Sequence, residues 1–250
     1  MSDLNPFDAA KRAAMREEIL RDGLLADKFL SQDPDLPTYG LNLACAWPFP
    51  ASWRASYEKM AAQLRALGPE VYVYPFEFTH ITLVTLVSFS RHLNPPRALV
   101  SKLDAIIPQL VAVLAPLFDG NSSERLRSFN LQPQAPVLAR GAGILPLLNP
   151  DGEVQRLRRR VVELLRDHPA LHEELNARGM NVPGIIHSTV LRLRQPPTDQ
   201  GKFLAGFDEV SASVSFPTLN VSEILLTSET KPYMRGGETL QRFQLGAQPQ

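Results

Sequence analysis

Apolar positions along the chain follow two rhythms, and the switches between them mark out the elements. Residues 39–47, 71–74 and 78–89 are rich in β-branched and aromatic side chains and read as strands, the first closed by Pro48 and Pro50. Between the first two, Trp53, Tyr57, Met60, Leu64 and Leu67 recur three or four apart, which predicts a helix over residues 51–67 that stops at Gly68-Pro69. A helical stretch follows over residues 95–117, kinked or split at Pro108, then a turn at residues 119–121 and strands near 126–132 and 137–148.

The order then repeats. Asp151-Gly152 opens a helix through residue 165, residues 179–183 form a loop, and residues 185–193 read as a strand ended by Pro196-Pro197. A short helix over 199–207 and strands near 221–227 and 240–245 complete the pattern. Ahead of all this, Asn5 and Pro6 read as the N-cap and first position of a helix that runs to about residue 30 with a break at Gly23. The turn residues at 33–37 close it.

The chain therefore divides into a helical extension, residues 1–37, and one bilobal domain, residues 38–250. Its 250 residues, 44% hydrophobic and 21% charged, suit a globular protein with one large core or two closely packed lobes. Twenty-six basic residues balance 26 acidic ones. That argues against a grip on long nucleic acid and leaves room for a small phosphorylated ligand or a nucleic-acid end. Cys45 is the single cysteine, so neither a disulfide framework nor a zinc cage can form. The apolar run over 106–118 is interrupted by Pro108, Gln109 and Pro116 and is too short to span a bilayer. The N-terminus carries no secretory pattern, and the expectation is a cytoplasmic monomer without membrane contact.

Chemistry enters with two short segments, Phe78-Thr79-His80-Ile81-Thr82-Leu83 and Ile185-Ile186-His187-Ser188-Thr189-Val190. Side chains alternate along a strand, so His80 and Thr82 share one face, and His187 and Thr189 do likewise. If the halves face each other, two imidazoles and two hydroxyls converge. One imidazole can take a proton from water while the other gives one to a leaving oxygen, and the hydroxyls can bind the non-bridging oxygens. Such a set cleaves a phosphodiester without metal or cofactor, and a strained cyclic phosphate suits it.

These two H-x-T motifs and the order of elements from residue 39 to 245 resemble the 2H phosphoesterase superfamily, which includes 2′-5′ RNA ligase-like proteins and cyclic phosphodiesterases. The resemblance implies an α+β fold. Two antiparallel sheets would be related by a pseudo-twofold axis, with helices on the outer faces and one motif from each lobe in a central cleft. It implies catalytic roles for His80 and His187, phosphate binding by Thr82 and Thr189, and a 2′,3′-cyclic phosphate or related nucleotide or RNA-end substrate. The first 37 residues have no counterpart in that family core, and the loop at 179–183 lacks the aromatic expected there. A binding module that keeps the motifs without turnover is the rival reading, and an RNA-processing nuclease a third.

Other residues read more plainly. His168 and His172 have helical metal-binding spacing but no further ligand, and Pro169 disturbs the geometry. His92 reads as an exposed loop residue, and the basic run from Arg156 to Arg160 as the solvated face of a helix. Strict alternation places Arg192 and Arg194 on the face opposite His187, which leaves them out of the site. Lys231, Tyr233 and Arg235 fall in a loop between the last two strands, and Tyr74, Phe76 and Phe78 read as core aromatics.

Overall fold

The structure is a computed structural model that describes residues 9–31, 35–119 and 125–247. Two antiparallel sheets organise it. Sheet one runs in the order β10 (Glu238–Gln244), β9 (Glu223–Glu229), β1 (Gly40–Cys45), β3 (Ile81–Val87). Sheet two runs β2 (Val71–Val73), β7 (His187–Leu193), β6 (Ala142–Leu148), β4 (Phe129–Pro133), β8 (Leu219–Val221), with β5 (Val137–Ala139) paired to β6. The fold is α+β, and each sheet carries one H-x-T segment. The sheets do not simply follow the two halves of the sequence: β9 and β10 close sheet one from the far end of the chain, while β2 crosses to sheet two.

Helices cover the sheets. α3 (Arg54–Arg65) buries Tyr57, Met60, Ala61 and Leu64, the stripe that its three- and four-residue spacing anticipated. α5 (Glu153–Arg166) buries Val154, Leu157, Val161 and Leu165 in the same way. Leu43 and Leu83 of sheet one, Leu145 and Leu191 of sheet two, and the inner faces of these helices belong to one continuous core. Each such leucine contributes roughly 1.5–3 kcal/mol by leaving water. The lobes therefore share their stabilisation.

Several boundaries differ from the sequence reading. α4 (Arg97–Leu114) runs unbroken through Pro108. Pro108 and Asp104, whose carbonyl loses its helical partner there, are both exposed, so the helix does not bury the unpaired group. With the turn that follows, this helix spans 21 residues, long and apolar enough by composition to cross a membrane, beyond the shorter run read from the sequence. In the fold its Leu103, Leu110, Val113 and Leu114 are buried.

The stretch 137–148 is a hairpin, β5 and β6, rather than one strand. Residues 169–177, left without an element, form α6 (Pro169–Ala177) with Pro169 at its first turn, where a proline fits. α7 (Gln200–Ser213) is longer than expected, its start capped by Asp199 Oδ1 accepting from Lys202 N at 2.9 Å. The strand expected near 221–227 is interrupted at Ser222, between β8 and β9.

The extension is docked. α1 (Ala9–Asp22) lies against β5, with Arg12 donating to the Ala135 carbonyl at 3.0 Å and Arg16 paired with Asp208 at 3.0 Å. Beyond it, Leu25 N donates to Arg140 O and Asp27 N to Leu193 O, each at 2.7 Å, and lead into the short helix α2 (Lys28–Ser31). The expected helix start at Asn5 and Pro6 and the turn residues at 33–34 and 120–121 lie outside the described residues.

Candidate active site

β1 shows how a strand covered on both sides can still face a cleft. Leu41, Leu43 and Cys45 point into the core, while Gly40, Asn42 and Ala44 give the other face small side chains. A Cβ on Gly40 would sit 3.1 Å from a Glu229 carboxylate oxygen and 3.3 Å from Phe89, so the glycine makes room for both. Over this face opens a cleft of about 280 Å³ whose lining includes His80, Thr82, Thr85, His187, Thr189 and Arg192, together with Asn42, Tyr74, Glu229 and Tyr233. The four residues expected from the motifs thus line one cavity. A larger hollow of about 440 Å³, between α4 and strands β9 and β10, contains none of them.

The two motif strands carry the same irregularity. In the β1–β3 ladder Ala44 pairs with Thr82 and Leu43 with Val84, so Leu83 is an extra residue. In the β6–β7 ladder Ile144 pairs with Thr189 and Gly143 with Leu191, so Val190 is extra. Each is a β-bulge three residues after its histidine. The carbonyls of both extra residues are bonded outside those ladders: Leu83 O accepts from Arg158 Nε at 3.0 Å, and Val190 O accepts from Tyr74 N at 3.1 Å, continuing the β2–β7 pairing past Val73–Leu191.

A bulge resets the alternation, so the next cleft-facing positions become Thr85 and Arg192. Arg192 therefore belongs in the site, contrary to the sequence reading. Gly143 gives part of the reason, since a Cβ there would meet Leu191 at 2.7 Å. Arg194, just past the end of β7, is exposed and outside the cleft lining, its guanidinium 5.7 Å from the Tyr72 ring. Thr85 also stitches the lobes together, exchanging backbone hydrogen bonds of 2.9 and 2.8 Å with Asn181.

The histidines differ in detail. His80 directly precedes β3, after a turn of 3₁₀ helix over Phe76–Phe78, and its Nδ1 lies 2.8 Å from the Phe78 carbonyl. A carbonyl only accepts, so Nδ1 carries the proton and Nε2 is left as a base. The Nδ1 of His187 is buried and makes no well-formed hydrogen bond among the described residues. The Ile185 carbonyl beside it already accepts from Arg158 Nη2 at 3.0 Å. Burial lowers the pKa of both imidazoles. His187 falls to about 4, because the charge of His80, and more weakly of Arg192 and Arg158, adds to the burial.

Around them lies a buried polar network. Glu229 accepts from Met234 N at 2.9 Å and from Asn42 Nδ2 at 3.3 Å, and burial raises its carboxyl to about pKa 7 despite those bonds. Tyr233 and Met234 both hold left-handed backbone, φ 66° and 61°, a conformation that non-glycine residues adopt only when their surroundings impose it. Arg192 Nη1 pairs with Asp27 at 2.9 Å, Arg192 Nε donates to Tyr74 Oη at 3.2 Å, and its guanidinium lies 4.4 Å from the Tyr233 ring centre. Burial alone would lower the Arg192 pKa, but Tyr74, Tyr233 and Asp27 together raise it.

Two further expectations change. Arg158 is buried at 7% exposure rather than solvated, since it caps the buried carbonyl of Leu83 and the part-buried carbonyl of Ile185. His92 is buried, not exposed, under the Thr38–Leu93 bridge. Tyr233 is part of the cleft wall, while Lys231 and Arg235 pair with Asp35. Among the described residues no group of three or more His, Cys, Asp or Glu is arranged to hold a metal ion.

No protein-family model matches the chain, and a search of curated protein sequences finds no match. Solved structures do match. The protein TT0787 of Thermus thermophilus superposes with a TM-score of 0.56 at 19% identity, over 84% of this chain and 100% of that one. A conserved protein of unknown function from Agrobacterium tumefaciens, ATU0111, gives a TM-score of 0.55 at 15% identity, over 82% of this chain and 85% of its own. The chain has their fold. Escherichia coli LigT, crystallised with 3′-AMP, is more distant, with a TM-score of 0.46 at 18% identity over 84% of this chain and 99% of its own.

Proposed function

We propose that the protein is a metal-independent phosphodiesterase that opens a 2′,3′-cyclic phosphate or a related phosphodiester at a nucleotide or RNA end. The observation that supports it is the convergence of His80 and Thr82 from one sheet with His187, Thr189 and Arg192 from the other on a single cleft. Two imidazoles, two hydroxyls and one guanidinium are a sufficient set for the reaction.

The proton balance follows from the asymmetry of the histidines. His80 Nε2, unprotonated, takes a proton from the attacking water as its oxygen bonds to phosphorus. His187, protonated in the complex, gives its proton to the ribose oxygen as the P–O bond breaks. The pair carries one proton before and after, and solvent returns it to its starting place. A bound phosphate anion favours the protonated form of His187, against the burial that keeps it neutral in the empty cleft. Thr82, Thr189 and Arg192 donate to the non-bridging oxygens, where charge builds.

Purified protein, treated exhaustively with a chelator, is offered 2′,3′-cyclic nucleotides and short RNAs that end in a cyclic phosphate. Turnover to a phosphomonoester is expected. Absence of turnover on all of them, or turnover that vanishes with chelation and returns with a divalent ion, rejects the proposal.

A further inference from the structure

Asp27 belongs to the extension, outside both sheets, yet four donors converge on its carboxylate. Its Oδ1 accepts from Phe29 N at 2.9 Å and Leu30 N at 3.0 Å, and its Oδ2 accepts from Arg192 Nη1 at 2.9 Å and from Tyr233 Oη. That is the acceptor complement of an ionised carboxylate. The side chain is 5% exposed, and backbone bonding to Leu193 fixes its position beside β7. Phe29, two residues on, packs its ring 5.1 Å from that of Phe89 in the cleft wall.

The consequence is electrostatic. Arg192 is the arginine of the cleft lining, and Asp27 is the carboxylate paired directly with it, whereas Glu229 in the same lining bonds Met234 N and Asn42 instead. Asp27 and Tyr74 occupy Nη1 and Nε, so Nη2 is the nitrogen left to a ligand. An unmatched arginine attracts a doubly charged phosphate more than a singly charged one, while a matched one gives up most of that preference.

We propose that Asp27 is a positioning residue that makes the cleft selective for the singly charged phosphodiester over the doubly charged phosphomonoester. This rests on the phosphodiesterase reading and extends it to product release. Ring opening converts one negative charge on phosphate into nearly two at neutral pH, and a charge-matched cleft holds the product no better than the substrate.

The test measures binding, at pH 8, of dimethyl phosphate (one charge) and methyl phosphate (two charges) to the full chain by calorimetry. The wild type is expected to bind methyl phosphate no more tightly than dimethyl phosphate. Asp27→Asn should tighten methyl phosphate about tenfold relative to dimethyl phosphate. In an Arg192→Gln background the same change should leave that ratio unmoved. A role confined to folding would weaken both ligands in proportion and would overturn the inference. So would a wild type that prefers the dianion tenfold, which is measurable even if the variant does not fold, and so would failure of both anions to bind. Turnover of a cyclic phosphate with an unmoved ratio rejects only this inference, whereas a shifted ratio without turnover rejects only the catalytic reading.

Discussion

Arg158 donates from Nε at 3.0 Å to the carbonyl of Leu83, the extra residue at the bulge of the first motif strand. Through Nη2 the same guanidinium reaches Ile185 O, two residues before His187, so one buried cation ties both histidine segments together. Arg158→Met removes the charge but leaves one buried and one part-buried carbonyl without this donor. A loss of about 2–4 kcal/mol is expected, since an orphaned buried group costs roughly 1–3 kcal/mol and the part-buried one less. Urea denaturation measures it, and unchanged stability would show that neither carbonyl depends on the bridge.

Glu229 gives a pH signature of its own. Its folded pKa, about 7, exceeds the ordinary 4.5, so the folded state holds a proton that the unfolded state releases between those values. Stability contributed by this group therefore falls as pH rises from 4.5 through 7. Glu229→Gln cannot ionise. Its stability relative to wild type should improve across that window by up to about 3 kcal/mol. A difference that stays flat from about pH 4.5 to 8 would contradict the burial argument.

Both imidazoles have lowered pKa values, so the singly protonated pair is scarce in the free protein above pH 6.5. The value of kcat/KM should accordingly peak on the acid side of about 6.5 and fall towards alkaline pH. Bound phosphate raises both groups, and the alkaline limb of kcat should lie at higher pH than that of kcat/KM. A maximum in kcat/KM above about pH 8 is incompatible with this pair as acid and base.

The phosphate donors separate by kinetic parameter. Thr82→Ala or Thr189→Ala removes one hydrogen bond to developing charge and should slow turnover by a smaller factor than loss of a histidine. Arg192→Gln removes the cation and should raise KM as well as lower kcat, which a steady-state comparison on one substrate resolves.

The legible part of the site was the part set by strand periodicity. His80, Thr82, His187 and Thr189 form two pairs, each spaced two apart, and that spacing alone puts each pair on one face. Arg192 was misplaced because the extra residue Val190 shifts the alternation by one. Gly143 in a strand-like run was the available signal, since an interior strand glycine often marks a bulge or a close approach. Arg158 was hidden in a run of arginines, because its burial depends on carbonyls in two other segments. Asp27 was invisible for a stronger reason: its partners Arg192 and Tyr233 lie far along the chain, and no local pattern announces them. The element order was readable where apolar spacing was regular, as in α3 and α5, and failed where pairing partners decide, as in the hairpin β5–β6.

The central claim is that the two motifs carry the chemistry as a unit, and the direct measurement is kcat/KM for His80→Ala, His187→Ala and the double variant on the best cyclic phosphate. Each single change should cost about 10²–10⁴-fold, and the double change should cost little more than the worse of the two, because acid and base work on one proton circuit. A double variant that turns the substrate over as fast as wild type would contradict the account.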